Sequence, residues 1–241
     1  MGLGLPRGNR LRWLTPALCV ATLAGCSTTV PGAPVAEGLE HPPYRDLTVN
    51  DLPQLLLKPT EFDRILGTSH MAVSDTSERA VDLDPGQIVT GDAGCLGAAF
   101  SAMSSVYRGT GYVTALGQRV TEPSNRARHI AFQFVALYPG ARGAERFRRE
   151  SEQTWRACAG KPVSLKQSDS VTDTWTIGDA VTTADDIVAV VNMQEGGDGW
   201  ACSRALGARA NVVVDVAACG TGVDVQTSAA IVGEIIDRVP D

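Results

Sequence analysis

The N-terminal segment constrains this chain more than any other feature, because it decides the compartment in which the rest folds. Three arginines lie within the first 12 residues, an apolar stretch runs from Trp13 to Leu23, and no acidic residue occurs up to Gly25. This order is typical of an export signal. The apolar stretch is too short to cross a hydrocarbon core of about 30 Å as a helix. We therefore predict that residues 1–25 form a signal peptide and that the chain is exported.

The end of this segment predicts a lipid anchor. Leu23-Ala24-Gly25-Cys26 resembles the lipobox of bacterial lipoproteins, in which the cysteine is linked to diacylglycerol before cleavage in front of it. Two acyl chains, at ~0.8 kcal/mol per buried CH₂, anchor a protein stably where one chain would be marginal. We predict lipidation, with palmitate, at Cys26 and attachment to the outer face of the cell membrane. The alternative is a simple secretory signal followed by an incidental cysteine.

The next segment, residues 26–43, is predicted to be a flexible tether. It contains four prolines among small and polar residues, and few large apolar side chains. Such a segment cannot bury a core, and at ~3.1 Å per residue its 17 residues after the lipid site reach up to ~50 Å. Residues 44–241 suffice for one domain with its own core.

The charge of the predicted mature chain excludes one class of partner. Without the three arginines of the signal, 18 of the 21 Lys and Arg remain against 27 Asp and Glu, a formal charge of −9. Nucleic-acid and polybasic lipid-binding surfaces need clustered Lys and Arg. We therefore expect no nucleic-acid partner.

Four cysteines, Cys95, Cys158, Cys202 and Cys219, remain after the signal and the lipid site. An even number in an exported domain predicts two disulfides, with three connectivities open. Cys202 and Cys219 bracket a predicted hairpin, so their pairing is the local choice and leaves Cys95 for Cys158. A metal site needs close cysteine pairs with histidine support, and neither occurs. No metal and no cofactor are predicted.

Apolar periodicity and turn residues predict helices first, a sheet in the middle and a helix last. The predicted helices cover residues 52–57, 59–66, 95–107, 141–159 and 225–238. The predicted strands cover residues 112–121, 129–138, 172–177, 186–193, 200–206 and 211–216. Residues 68–94 are predicted to be mostly loop, and tight turns at 196–199 and 207–208 make the late strands antiparallel. The predicted fold class is α+β, an antiparallel β-sheet with helices packed mainly on one face and two disulfides.

No catalytic residue is predicted. Histidine is the commonest base in nucleophilic catalysis, and the chain has His41 in the tether, His70 at a loop start and His129 at a strand start. None belongs to a nucleophile elbow or a zinc-binding helix motif. Asp185 and Asp186 are adjacent and would point to opposite faces of a strand, so we interpret them as a turn and the entry to a strand.

The tryptophans are predicted to be core residues. Trp155, Trp175 and Trp200 each lie near a cysteine or inside a predicted strand. This placement favours packing around the disulfides over an exposed recognition platform.

Three segments carry a resemblance to a known family. They are Trp155-Arg156-Ala157-Cys158-Ala159-Gly160, Trp200-Ala201-Cys202-Ser203-Arg204-Ala205-Leu206 and Asn211-Val212-Val213-Val214-Asp215-Val216-Ala217-Ala218-Cys219-Gly220. Together with Leu55-Leu56-Leu57, Ile65-Leu66-Gly67 and Cys95, they resemble the PknH-like extracellular sensor domain family of mycobacteria, over about Leu47 to Pro240. The resemblance implies an antiparallel sheet with helices, the disulfides Cys95–Cys158 and Cys202–Cys219, and a large cleft that receives an unidentified ligand.

These features together predict a sensor-like lipoprotein of the mycobacterial cell envelope that is not an enzyme. We expect its cleft to bind a small-molecule or envelope ligand, through residues that the sequence does not identify. Because a kinase domain and a membrane helix are both lacking in the sequence, we expect a membrane protein partner to carry any response. One alternative is a hydrolase of envelope lipid or glycan, with His129 or a carboxylate as base. The other is a structural partner of a membrane complex, which predicts a large apolar patch and no deep pocket.

Overall fold

The computed structural model describes residues 45–84, 86–123, 128–166 and 172–240. The predicted signal peptide, Cys26, the tether and His41 lie outside these residues. All described residues belong to a single compact unit. Within the described ranges, no helix is both long enough and apolar enough to cross a membrane.

The described residues contain six α-helices. They are α1 (Leu52–Leu55), α2 (Pro59–Leu66), α3 (Leu96–Ala99), α4 (Ser104–Tyr107), α5 (Ala141–Ala157) and α6 (Val225–Ile236). The predicted bounds of α2 are confirmed. This helix has proline in its first turn and ends at Gly67, whose φ of +63° is a left-handed conformation that favours glycine.

Ten strands of the described part form one sheet in which every pair is antiparallel. They are β1 (Ala72–Ser77), β2 (Ile88–Gly91), β3 (Thr114–Thr121), β4 (His129–Leu137), β5 (Pro162–Lys166), β6 (Thr172–Ile177), β7 (Val181–Thr182), β8 (Val188–Gln194), β9 (Trp200–Arg209) and β10 (Val212–Thr221). The strand order is β1-β3-β4-β10-β9-β8-β6-β5-β2, with β7 paired to β8. The long strands β4, β10 and β9 are adjacent in this order and place the core against their two faces.

The helices cover both faces of the sheet. In β10, Val212, Val214 and Val216 pack in the cluster that contains α6, whereas Val213 packs in a second cluster that contains α5. Helices α1 and α2 join α6, and α3 and α4 join α5. The predicted α+β class and antiparallel sheet are confirmed, but the helices do not lie mainly on one face. The physical reason is β10 itself, because a strand with apolar residues at successive positions must be covered on both sides.

The predicted loop over residues 68–94 was wrong in two places, because it contains the edge strands β1 and β2. Five of the six residues of β1 are exposed. A polar edge strand is held by backbone hydrogen bonds to its single neighbour, here β3, and it shows no alternation of apolar residues. Strand β5 was not predicted either, because its alternation is limited to two apolar positions, Val163 and Leu165.

The predicted helix over residues 95–107 is divided into α3 and α4. Between them Ala102 adopts a φ of +56°, which is uncommon for a residue with a side chain. The backbone N–H of Ala102 donates to the buried Asp215 Oδ2 at 2.9 Å. A hydrogen bond from a distant strand therefore overrides the local helical pattern.

The predicted turn at residues 207–208 was also wrong, since β9 continues to Arg209 and the chain turns at Ala210, with a φ of +49°. Gly207 serves packing instead. A Cβ there would lie 2.8 Å from Ile236 Cδ1 and 2.9 Å from Val232 Cγ1. The glycine therefore lets α6 approach β9 closely.

Both predicted disulfides, Cys95–Cys158 and Cys202–Cys219, are confirmed. The first ties the start of α3 to the end of α5. The second joins residues that face each other on β9 and β10. Trp155 packs in the cluster of the first disulfide, and Trp175 packs with the second, as predicted.

Candidate functional site

Two of the three histidines, His70 and His129, line one surface cavity of about 700 Å³. Nδ1 of His129 lies 3.4 Å from Oε1 of Glu122. The Glu122 carboxylate also accepts hydrogen bonds from the Thr68 hydroxyl and from the backbone N–H of Arg128. These bonds, that from Thr68 first, lower the pKa of Glu122 from 4.5 to about 2.

A carboxylate hydrogen-bonded to a histidine corresponds to the acid and the base of a catalytic triad. The third part would be a hydroxyl or thiol hydrogen-bonded to the His129 ring, and no such group occurs among the described residues. The Thr68 hydroxyl is directed at Glu122 instead. The cluster thus links the residues after α2 to the start of β4, and among the described residues it holds no nucleophile that is hydrogen-bonded to the His129 ring.

The most strongly buried charges lie in the middle of the sheet. Arg204 on β9 and Asp215 on β10 are 1% and 2% exposed, and Arg204 Nη1 donates to Asp215 Oδ1 at 2.6 Å. Arg204 also donates to the carbonyl oxygens of Val216, Gly97 and Phe100. Because a buried charge is costly unless it is paired and hydrogen-bonded, this pair requires all of these contacts.

The ion pair fixes the segment between α3 and α4. Asp215 Oδ2 accepts hydrogen bonds from the Ala102 N–H and from the Tyr107 hydroxyl, at 2.9 and 3.0 Å. Burial, followed by the negative charge of Asp215, raises the pKa of Tyr107. The guanidinium carbon of Arg204 lies 5.1 Å from the centre of the Trp155 ring, a cation–π contact. The chain from Phe100 to Met103 is thereby held in one conformation.

This held segment forms one wall of a cavity of about 320 Å³, which we call the sheet cleft. Its apolar lining consists of Val81, Leu83, Phe100, Ala102, Met103, Phe132, Phe134 and Leu165. The lining includes β1, at one end of the strand order, and β5, next to the other end. The sheet therefore curves around the cleft.

The floor of the sheet cleft is aromatic. Phe132 and Phe134 lie on the same face of β4, as predicted. Gly117 on the neighbouring strand β3 is the residue paired with Phe134. A Cβ at Gly117 would lie 2.8 Å from Phe134 Cδ2, so the glycine makes room for the ring. The Arg119 guanidinium lies 5.5 Å from the centre of the Phe132 ring. The floor thus presents aromatic faces beside one cation.

The rim of the sheet cleft is acidic. Asp75 on β1 and Asp82 and Asp84 in the following loop are exposed at the cavity, and Arg119 is the one basic residue among the described residues that line it. The loop is fixed in place, since Val81 exchanges backbone hydrogen bonds with Ala102 and Ser104. A rim with three carboxylates above an apolar floor can accept a ligand with an apolar body and a hydrogen-bond-donating or cationic group.

Comparison with known proteins decides which family has this fold. The family model described as PknH-like extracellular domain matches residues 47–239. The chain belongs to this family. The PknH-like domain here superposes on the crystal structure of the extracellular domain of PknH from Mycobacterium tuberculosis with a TM-score of 0.75 and 31% identity. That match covers 81% of this chain and 98% of the crystallised chain.

Serine/threonine-protein kinase PknH of Mycobacterium bovis and of Mycobacterium tuberculosis is 32% identical to this chain over 197 residues. The aligned region covers 82% of this chain but only 32% and 30% of those kinases, so the chain spans about a third of the length of these relatives. The match is to an extracellular domain rather than to a catalytic domain. The chain accordingly contains an extracytoplasmic, sensor-like domain.

Arg204 and Asp215 lie within the segments that carry the family resemblance, and the sequence alone assigned them no role. A usable signal was present, since each is a single charge inside an otherwise apolar or small-residue run. A charge in a strand that is covered on both faces needs an opposite charge nearby. The residues of the sheet cleft gave no such signal, because they come from β1, β3, β4, β5 and two loops.

Proposed function

We propose that this protein is a lipid-anchored lipoprotein of the cell envelope whose PknH-like domain binds an envelope ligand in the sheet cleft. The observation that carries the proposal is a cavity with a fixed wall. The buried pair of Arg204 and Asp215 holds the segment from Phe100 to Met103 against the aromatic floor. A preorganised apolar pocket with a few polar groups at its edge is the usual form of a small-molecule site.

The charges at the cleft restrict the ligand. The carboxylates of Asp75, Asp82 and Asp84 give the rim a negative potential, which disfavours binding of an anion. Arg119, the one cation among the described residues at the cavity, already makes a cation–π contact with the Phe132 ring. The favoured ligand has an apolar portion that covers Phe132 and Phe134, and a hydroxyl or cationic group at the rim. A response to this ligand would pass through a membrane protein partner.

A filled cleft tests the proposal. In Leu83→Trp the added indole occupies the cavity, whereas Val113→Trp places the same side chain at a position that is 64% exposed and does not line it. The full chain and both variants are unfolded thermally in the presence of fractionated envelope extract. A ligand present at 100 times its Kd stabilises the native state by about 2.7 kcal/mol.

We expect at least one fraction to raise the Tm of the wild-type protein and of Val113→Trp but not of Leu83→Trp. Mass spectrometry of the co-purified material then identifies the ligand. If no fraction raises the Tm, or if Leu83→Trp responds as the wild type does, binding in the sheet cleft is excluded.

The contact between His129 and Glu122 favours one second candidate, hydrolysis of an envelope lipid or glycan with His129 as general base. His129→Gln removes the base and keeps a side chain of similar length. Turnover of envelope lipids and glycans by the wild-type protein, lost in His129→Gln, would support the hydrolase. Equal product formation with both proteins would exclude it.

A further inference from the structure

A second cavity, of about 340 Å³, lies on the α5 side of the sheet and shares no lining residue with the sheet cleft. We call it the indole pocket. Its walls come from α3, α4 and α5, next to the Cys95–Cys158 disulfide. Its volume is near the lower end of the range of about 300–1,000 Å³ that is usual for ligand pockets.

Two buried side chains that line the indole pocket have polar groups with no hydrogen-bond partner among the described residues. Trp155 is 2% exposed, and its indole N–H makes no hydrogen bond to any residue in the described ranges. Ser151 is 8% exposed, and its hydroxyl likewise has no hydrogen-bond partner within those ranges. Neither atom is sealed from solvent, so both reach the cavity that their side chains line. Buried donors of this kind are normally satisfied, by protein, water or ligand.

The remaining lining defines the chemistry of the ligand. Glu150, exposed at the edge, is the one charged residue among the described residues that line the indole pocket, and none of those residues is basic. An anion would therefore meet a carboxylate without a counter-charge. A simple cation would pair with Glu150 but leave the Trp155 N–H, which only donates, unsatisfied. A hydroxyl both donates and accepts, and it can satisfy all three groups.

We infer that the indole pocket binds a neutral polyhydroxylated ligand, of the size of a sugar ring. Adjacent hydroxyls of such a ring would accept from the indole N–H of Trp155, exchange a hydrogen bond with Ser151 and donate to Glu150. Its C–H faces would pack on the apolar wall formed by Leu96, Val106 and Phe147. The site shares no lining residue with the sheet cleft, so this inference is tested separately from the proposed function above.

The experiment titrates the full chain with methyl glycosides of common hexoses and pentoses, each up to about 10 mM. Tetramethylammonium and inorganic phosphate serve as cationic and anionic comparison probes. Binding is followed by the indole N–H resonances in a ¹H–¹⁵N spectrum, in which Trp155→Phe identifies the Trp155 signal. We expect one or more glycosides to shift this signal and neither ion to do so, because a new hydrogen bond to the N–H changes its chemical shift.

Two conservative variants test the contacts, and one variant is the matched control. Ser151→Ala removes a hydroxyl that would hydrogen-bond the ligand, and Glu150→Gln removes the charge of the carboxylate that would accept from it. The loss of about 1 kcal/mol of binding free energy in either variant weakens binding by about fivefold. Gln153→Ala, on the same helix and outside the lining, should bind as the wild type does. The inference is overturned if no glycoside shifts the Trp155 signal, if phosphate or tetramethylammonium shifts it as strongly, or if Ser151→Ala and Glu150→Gln bind unchanged.

Discussion

At the scale of single residues, Glu122 should make the stability of the protein fall in acid. Its pKa is about 2 in the folded protein, against 4.5 for the free side chain, and the side chain is 15% exposed. A carboxyl whose folded pKa is lowered stabilises the native state above the unfolded pKa. That contribution is lost as the pH falls from about 4.5 to about 2.

The check is urea unfolding at several pH values between 7 and 2, for the wild type, Glu122→Gln and the exposed control Glu78→Gln. Glu122→Gln should lower the free energy of unfolding near pH 7, and its difference from the wild type should vanish near pH 2. Glu78→Gln should follow the wild type throughout. A difference that stayed constant with pH would show that the hydrogen bonds of Glu122, and not its ionisation, are what stabilise the fold.

At the scale of elements, the pair of Arg204 and Asp215 joins β9 and β10 to the segment between α3 and α4. Asp215→Asn leaves the Arg204 charge buried without a counter-charge, which destabilises proteins by about 3–5 kcal/mol. We expect a lower free energy of unfolding in urea and faster hydrogen exchange of the Ala102 amide, whose acceptor is Asp215. Asp198→Asn, in the exposed turn between β8 and β9, should change neither. Unchanged Ala102 exchange in Asp215→Asn would mean that the pair does not hold this wall.

Elements with their own pattern were predictable from the sequence. Helix α2 has a proline at its start and a glycine at its end, and β4 alternates aromatic and apolar residues toward one face. Elements that depend on hydrogen bonds to distant parts of the chain were not predictable. Strand β1 exists because β3 offers it backbone hydrogen bonds, and the break after α3 exists because Asp215 accepts from Ala102. Periodicity describes what a segment buries and says little about a hydrogen bond made by a residue far along the chain.

The candidate sites divide in the same way. The sequence predicted both disulfides and placed Trp155 beside Cys158, because cysteines and tryptophans are informative one at a time. It did not predict that the indole N–H of Trp155 would face a cavity with Ser151, since that depends on how α3 and α4 pack on α5. The sheet cleft depends on the curvature that brings β1 and β5 to one cavity. Cavities are properties of packing, and a single sequence without its fold does not define them.

At the scale of the whole molecule, the domain carries two unlike cavities on one rigid framework. The sheet cleft has an acidic rim over aromatic rings, and the indole pocket has unpaired neutral donors beside one carboxylate. Residues of one contiguous segment serve both. Arg204 Nη2 donates hydrogen bonds to the carbonyl oxygen of Gly97, which lines the indole pocket, and to that of Phe100, which lines the sheet cleft. Occupancy of either cavity therefore bears on the same buried guanidinium, which gives a physical route for one ligand to affect the other.

The predicted attachment of this domain to the membrane rests on Cys26. If this residue carries two acyl chains, their burial at about 0.8 kcal/mol per CH₂ makes membrane attachment stable.

In Cys26→Ala the acceptor of the lipid is missing, so the chain should either stay uncleaved or appear in the soluble fraction, and it should lack the mass of the lipid. Cys19→Ala, within the predicted signal, is the matched control and should leave attachment intact. Detergent phase partitioning and intact-mass measurement distinguish these outcomes. A membrane fraction and mass that Cys26→Ala leaves unchanged, apart from the substitution itself, would overturn the lipid anchor.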